Sequence, residues 1–124
     1  MKTTAKQFVC VTTTVDSVPK ARKLAGAIVG SRLAACVQYM PIRSIYRWNG
    51  RVESAAEQLL VAKTRASAAN RLVAYIRKNH SYELPEITIV PIKGGLAGYL
   101  AWIDAETKET GRTRASNPCG CEHG

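Results

Sequence analysis

The alternation of hydrophobic and polar residues predicts a central strand followed by an amphipathic helix at the start of the chain. Gln7 to Thr14 carries apolar or β-branched residues on both faces, which is typical of a strand inside a sheet. Asp16 or Ser17 is a suitable helix N-cap. The following apolar residues recur with helical spacing, at Ala21, Leu24, Ala25, Ile28 and Val29.

The longest predicted feature is a β-hairpin from Arg32 to Arg65 that turns at Asn49-Gly50. Asn-Gly between two extended segments favours a type I′ turn, because both central residues of that turn need a positive φ. The arms are longer than a strand of a small domain needs, so we expect an unpaired edge available to another chain. Pro41 predicts a bulge or an edge position in the first arm.

The remaining pattern completes an α+β chain with the order β-α-β-β-α-β and a C-terminal helix. A second helix is predicted from Ser67 to Asn79, a fourth strand from Glu86 to Ile92 and a third helix from Leu96 to Thr107. This order is that of the ferredoxin-like split βαβ fold. We predict one domain over residues 1–107 and a polar tail over residues 108–124. One face of the sheet would be uncovered in a monomer, which favours oligomerisation.

The formal net charge is +9, yet the basic residues are spread along the chain and form no block. A solvated surface is the favoured interpretation, and no RNA- or DNA-binding motif predicts a nucleic-acid partner. Arg43, Arg47 and Arg51 near the hairpin tip form a candidate anion-binding patch. The longest apolar runs fall short of the ~20 residues that span a bilayer. We therefore predict no membrane association and a cytoplasmic location.

No catalytic constellation is recognisable, so we predict that the protein is not an enzyme. The chain has two histidines, and Gly-x-Ser-x-Gly, Walker A and Rossmann glycine patterns are missing from its sequence.

Two segments carry metal-ligand chemistry. His80 with Glu83 and Glu86 suits copper, nickel or zinc, although a lone histidine more commonly has a structural role. In the tail, two thiols and an imidazole at alternate positions suit Cu(I) or Zn(II). These residues are Cys119, Cys121 and His123. A redox-active thiol pair and an inert tail remain alternatives for this segment.

Five ordered motifs resemble the CutA family of divalent-cation tolerance proteins. They are RLAACVQ, SIYRWNGRVE, KTR, NHSYELPE and GYLAWI, and together they cover roughly Phe8 to Ile103. The resemblance implies a homotrimer whose long hairpins pair edge to edge, much as in the PII signalling proteins. It also implies a link to copper or another divalent metal. The copper site proposed for some members corresponds here to Thr12, Asn79 and His80, of which only His80 is a ligand of the expected kind.

The resemblance further implies a cleft between subunits. Its matching residues include Tyr46, Trp48, Lys63, Thr64, Tyr82 and Trp102. Interface packing is the alternative for the first two, and a core position is the alternative for Trp102. Lys63 lies in an apolar strand, so it needs a carboxylate, such as Glu83 or Glu86, or an anionic ligand.

Three hypotheses for the function follow. The first is a non-enzymatic trimer involved in divalent-cation tolerance. The second is a PII-like sensor of a small anionic metabolite, and the third is a structural trimer that scaffolds other proteins.

Overall fold

The computed structural model describes residues 6–108 as one antiparallel sheet with three α-helices. The elements are β1 (Phe8–Val15), α1 (Val18–Gly30), β2 (Cys36–Trp48), β3 (Arg51–Arg65), a 3-10 turn (Ala66–Ala68), α2 (Ala69–Lys78), β4 (Ile87–Ile92) and α3 (Ala97–Glu106). The predicted α+β class and element order are confirmed. The first hairpin arm begins later than expected, because Arg32 has a φ of 64° and ends the turn that follows α1. None of the described helices has the length and apolar character needed to cross a bilayer.

The sheet has the strand order β2-β3-β1-β4, which is the ferredoxin-like arrangement. Helices α1 and α2 cover one face, and their apolar stripes enclose Val11, Leu60 and Ala62 of the central strands. Helix α3 covers one end of the other face, where Ile103 is fully buried against Phe8. The rest of that second face is uncovered in the single chain. We call it the open face.

The long hairpin turns where the sequence predicts. Strands β2 and β3 pair from Cys36–Lys63 to Trp48–Arg51 in one continuous register. Asn49 and Gly50 have φ angles of 52° and 75°, as a type I′ turn requires. Pro41 lies on the edge strand β2. Its missing N–H therefore does not interrupt the hydrogen bonds of a central strand.

The hairpin extends past the rest of the sheet. Strand β1 pairs with β3 only as far as Val15–Gln58. Beyond that pair, Ile42–Trp48 and Arg51–Glu57 form a two-stranded ribbon about 24 Å long, at about 3.4 Å per residue. This ribbon has no third strand in the single chain, so its outer edges are open within the described residues.

Candidate functional site

A groove of about 940 Å³ lies between the ribbon and the segment that joins α2 to β4. One wall comes from β2 and β3, and the other comes from residues 82–88. The lining residues are Thr14, Ser44, Ile45, Tyr46, Trp48, Ala55, Glu57, Tyr82, Glu83, Leu84, Pro85, Glu86, Ile87 and Thr88. The groove therefore combines three aromatic side chains with three carboxylates.

Glu57 joins the two walls of the groove. Its Oε1 accepts a hydrogen bond of 2.7 Å from the Ser44 hydroxyl on β2. Its Oε2 accepts one of 2.8 Å from the Tyr82 hydroxyl on the opposite wall. Burial raises the pKa of Tyr82 above its ordinary value of 10.0, and the bond to Glu57 raises it further. Tyr82 therefore stays a neutral donor at physiological pH. Its hydrogen bond to Glu57 connects the α2–β4 segment to the ribbon.

His80 uses both ring nitrogens within the fold. Its Nδ1 accepts a hydrogen bond of 3.1 Å from the backbone N–H of Tyr82. An accepting Nδ1 leaves the ring proton on Nε2, which lies 2.7 Å from the Thr14 carbonyl oxygen. With both nitrogens engaged, His80 offers no free lone pair to a metal unless the segment rearranges. The structural role considered for this histidine is the one that the geometry supports.

The predicted loop ligands do not gather around a point. Among residues 6–108, no group of three or more His, Cys, Asp or Glu side chains is placed to hold a metal ion. His80, Glu83 and Glu86 therefore form no ready metal site in the single chain. Asn79 donates instead to the Tyr75 carbonyl oxygen at 2.9 Å, and the Thr12 hydroxyl bonds that of Thr88. Cys119, Cys121 and His123 lie outside the described residues.

The predicted cleft residues separate into two places. Tyr46, Trp48 and Tyr82 line the groove. Thr64 is fully buried under the helices, on the sheet face opposite to Lys63, so it cannot line a shared cleft with that lysine. Trp102 stacks on Tyr99 in the cluster around α3, with ring centroids 5.6 Å apart.

Lys63 is stabilised differently from our expectation. Its Nζ lies 5.5 Å from the centroid of the Tyr99 ring, which is a cation–π geometry. The lysine therefore pairs with an aromatic side chain of α3, whereas Glu83 and Glu86 lie in the groove wall. The prediction missed this contact because α3 returns over the open face from a distant part of the sequence.

The three ribbon arginines do not form one patch. Arg43 and Arg47 are four residues apart on β2, so their side chains share one face of the ribbon; their partners on β3 are Ala56 and Val52. Arg51 pairs with Trp48, and side chains of alternate residues point to opposite faces. Arg51 therefore lies on the face opposite to Arg43 and Arg47.

Sequence reasoning missed Ser44 and Glu57. Both alternate with solvent-facing residues in the hairpin arms, and each alone resembles an ordinary exposed strand residue. The strand register would have placed them on the same face as Tyr46, but the approach of Tyr82 depends on the path of the α2–β4 segment.

Comparison with known proteins decides the family. The family described as CutA1 divalent ion tolerance protein matches residues 9–106 of this chain. The chain belongs to the CutA1 family. The match covers every strand and helix except the first residue of β1, so both walls of the groove lie within the family's domain.

Two similar proteins come from plants. The rice protein CutA 1, chloroplastic (Oryza sativa subsp. japonica) is 42% identical over 103 residues, which cover 82% of this chain and 58% of the rice protein. The Arabidopsis thaliana protein CutA, chloroplastic, is 42% identical over 101 residues, covering 81% of this chain and 56% of that protein. The chain thus spans little more than half the length of these two relatives.

Solved structures of CutA proteins share the fold. The crystal structure of CutA1 from Oryza sativa superposes with a TM-score of 0.81 at 41% identity, covering 86% of this chain and 99% of that one. The periplasmic divalent cation tolerance protein CutA from Archaeoglobus fulgidus gives a TM-score of 0.80 at 33% identity, covering 82% and 99%.

Proposed function

We propose that this CutA1-family chain is a non-enzymatic homotrimer that contributes to divalent-cation tolerance by binding copper or another divalent metal. The observation that carries the proposal is the family match over residues 9–106, together with relatives named for divalent-cation tolerance. The names of these relatives indicate the process, which is divalent-cation tolerance. The metal ligands must come from residues of this chain.

The ribbon supports assembly into an oligomer. Ile45 is 74% exposed and Val52 is 66% exposed, although both lie in regular β-structure. Tyr46 and Trp48 expose further apolar area on the other face of the same ribbon. Open strand edges that carry exposed apolar side chains favour pairing with another chain, and a second or third copy is the partner always present.

The metal ligands are proposed to come chiefly from the tail. His80 is committed to two internal hydrogen bonds, whereas Cys119, Cys121 and His123 offer soft and borderline donors. Three tails in a trimer would supply enough thiolates and imidazoles for a closed site. Glu83 and Glu86 would contribute only across a subunit boundary.

Calorimetric titration with Cu(I) and Zn(II) tests the metal proposal. We expect saturable binding by the wild type, loss of binding in Cys119→Ser/Cys121→Ser, and retention in the control Cys10→Ser, whose thiol lies in β1. The absence of saturable binding by the wild type would refute the proposal. Equal binding by the tail variant would refute the assignment of its ligands.

The groove argues against the anionic-metabolite hypothesis at this position. Its lining contains Glu57, Glu83 and Glu86 and no lysine, arginine or histidine, so an anion would be repelled. Scaffolding of other proteins and a cytoplasmic location stay predictions from the sequence.

A further inference from the structure

The fold brings two basic segments of the sequence together at one end of the helix layer. The first segment lies at the start of α1 and the second at the end of α2. Because they are far apart in the sequence, the charge pattern along the chain does not reveal that they meet. We call this cluster the basic end. Its five exposed members are Lys20, Arg22, Lys23, Arg77 and Lys78.

Two contacts place the start of α1 beside the end of α2. The Lys20 ammonium donates to the Ser81 hydroxyl at 3.4 Å, and Ser81 follows shortly after the last residue of α2. The His80 ring lies 2.7 Å from the Thr14 carbonyl oxygen, close to where α1 begins. The two helices therefore run antiparallel over the same face of the sheet, and their basic segments are neighbours.

The positive charge of the basic end is largely uncompensated. Lys20 pairs with Asp16 at 3.0 Å. Among residues 6–108, no carboxylate forms an ion pair with the other four members of the cluster. Helices α1 and α2 themselves contain no acidic residue. Five cations and one carboxylate leave this end with close to half of the formal net charge of +9 that the chain carries.

Helix stability explains only one half of the basic end. The helix dipole favours cations near a C-terminus, so Arg77 and Lys78 suit the last turn of α2. The dipole disfavours cations near an N-terminus, yet α1 has basic residues in its first turns and no acidic residue there. The cations at the start of α1 are therefore not explained by the stability of the helix.

The basic end does not belong to the surfaces that the proposed trimer would cover. It lies on the helix side of the sheet, whereas two further copies would cover the ribbon and the open face. The apolar stripes of α1 and α2 are already buried against the sheet. At this end the two helices present long cationic side chains to the outside of the assembly.

The residue types of the basic end fit the phosphate backbone of a nucleic-acid duplex. Guanidinium groups bind phosphate oxygens through paired hydrogen bonds, and lysines add point charges. Insertion into a bilayer needs an exposed apolar helix face, and both apolar stripes face the core. Stacking on unpaired bases needs exposed aromatic rings, and Tyr75, the one aromatic residue of these helices, packs against the core.

We propose that the basic end binds the phosphate backbone of double-stranded nucleic acid without reading its base sequence. The sequence alone predicted no such partner, because its basic residues form no block and no recognition motif is present. Folding creates the block, and contacts to the backbone need no motif. Such binding requires neither a metal ion nor the tail.

Fluorescence anisotropy with a labelled DNA duplex, at about 50 mM salt, tests the proposal. We expect saturable binding by the full-length wild type, with log K falling against log salt with a slope of about −4, because about four phosphates are neutralised. Arg22→Gln/Lys23→Gln and Arg77→Gln/Lys78→Gln should each bind about tenfold more weakly and reduce the slope by about 2. A duplex of different sequence should bind equally well.

Lys6→Gln/Lys93→Gln is the matched control, because it removes the same charge from the other end of β1. Both lysines are exposed beside the Phe8–Ile92 pair, whereas α1 begins after the opposite end of β1. This variant should bind the duplex as the wild type does. Light scattering should give the same mass for all of these proteins, which excludes a loss of assembly as the cause of weaker binding.

Several results would overturn the proposal. These are the absence of saturable duplex binding, equal weakening by the control variant, and an effect of only one of the two helix variants, since the site needs both helices. Tighter binding to vesicles of phosphatidylcholine and phosphatidylserine, or to polyglutamate, would assign the basic end to a membrane or to an acidic protein instead.

The metal and nucleic-acid proposals fail independently. Cys119→Ser/Cys121→Ser should bind the duplex as the wild type does, and Arg22→Gln/Lys23→Gln should keep the metal binding that is assigned to the tail. Loss of duplex binding in the cysteine variant would place the contact in the tail and would contradict the assignment to the basic end.

Discussion

At the scale of single residues, the groove depends on a few polar contacts that span its two walls. Tyr82 and His80 belong to the same short segment, and one bonds the ribbon while the other bonds β1. The two rings also lie against each other, with centroids 4.7 Å apart. The segment is therefore held at two points, by the Tyr82 hydroxyl and by the His80 ring.

Tyr82 predicts a decline of stability at alkaline pH. Its pKa is raised in the folded state, first by burial and then by Glu57. The unfolded state therefore loses this proton first, so the stabilisation is complete below about pH 10 and is lost as pH rises further. In Tyr82→Phe, urea unfolding should show a stability lower by about 1 kcal/mol near neutral pH and a smaller further loss at about pH 10.5.

Tyr39→Phe is the control for this measurement, because Tyr39 lies on β2 outside the groove. It should keep the alkaline decline of the wild type. Tyr99 also has a raised pKa, chiefly through burial, so some decline should persist in Tyr82→Phe. An identical pH dependence in wild type and Tyr82→Phe would contradict the assigned role.

The resemblance to the CutA family predicted part of this site. Tyr46, Trp48 and Tyr82 are among the residues that the resemblance places at a cleft, and all three line the groove. Glu57 and Lys63 could not be assigned correctly, because their partners Tyr82 and Tyr99 come from segments far along the chain. Long-range contacts of this kind depend on loop paths that local patterns do not determine.

At the scale of secondary structure, the hairpin and the last helix are stabilised in different ways. The hairpin turn is a local property of Asn49-Gly50, so its position was predictable from the sequence. Helix α3 has three small or apolar first-turn residues and no side-chain N-cap, and its position depends on contacts at its C-terminal end. Its existence was predicted, but its location on the open face was not.

Two glycines should respond in opposite directions to alanine. An added Cβ meets nothing within 4 Å at Gly50 or Gly26. Gly50 has a φ of 75°, so Gly50→Ala should destabilise by about 1 kcal/mol through the backbone alone. Gly26 lies inside α1, so Gly26→Ala should stabilise by about 0.5–1 kcal/mol. Denaturant unfolding measures both, and a shift of the same sign in both variants would contradict this account.

Arg65 should control the attachment of α3. Its guanidinium donates to the Thr107 hydroxyl at 2.8 Å and to the Thr107 carbonyl at 2.7 Å, and it lies 3.9 Å from Asp104. Arg65→Ala leaves these partly buried groups without their donor, so we expect a loss of about 2 kcal/mol. Hydrogen exchange should rise in α3 before it rises in β1.

Arg71→Ala is the matched control for Arg65, because it removes an exposed arginine from α2. It should change stability by less than about 0.5 kcal/mol. Unchanged exchange in α3 of Arg65→Ala would show that the helix is held by its apolar contacts with Phe8 instead.

At the scale of the whole molecule, the single chain leaves apolar surface and strand edges uncovered. The helices close one face of the sheet, whereas the open face is covered only at the α3 end. The ribbon extends about 24 Å beyond β1 with Ile45 and Val52 in solvent. The excess arm length was visible in the sequence, and it predicts an assembly whose geometry one chain does not define.

Light scattering coupled to size exclusion tests the proposed assembly most directly. At micromolar concentration, the wild-type protein should have a mass about three times the 13.5 kDa of the chain, because in the proposed trimer two further copies would cover the ribbon and the open face. A stable species of 13.5 kDa under these conditions would contradict the proposed trimer.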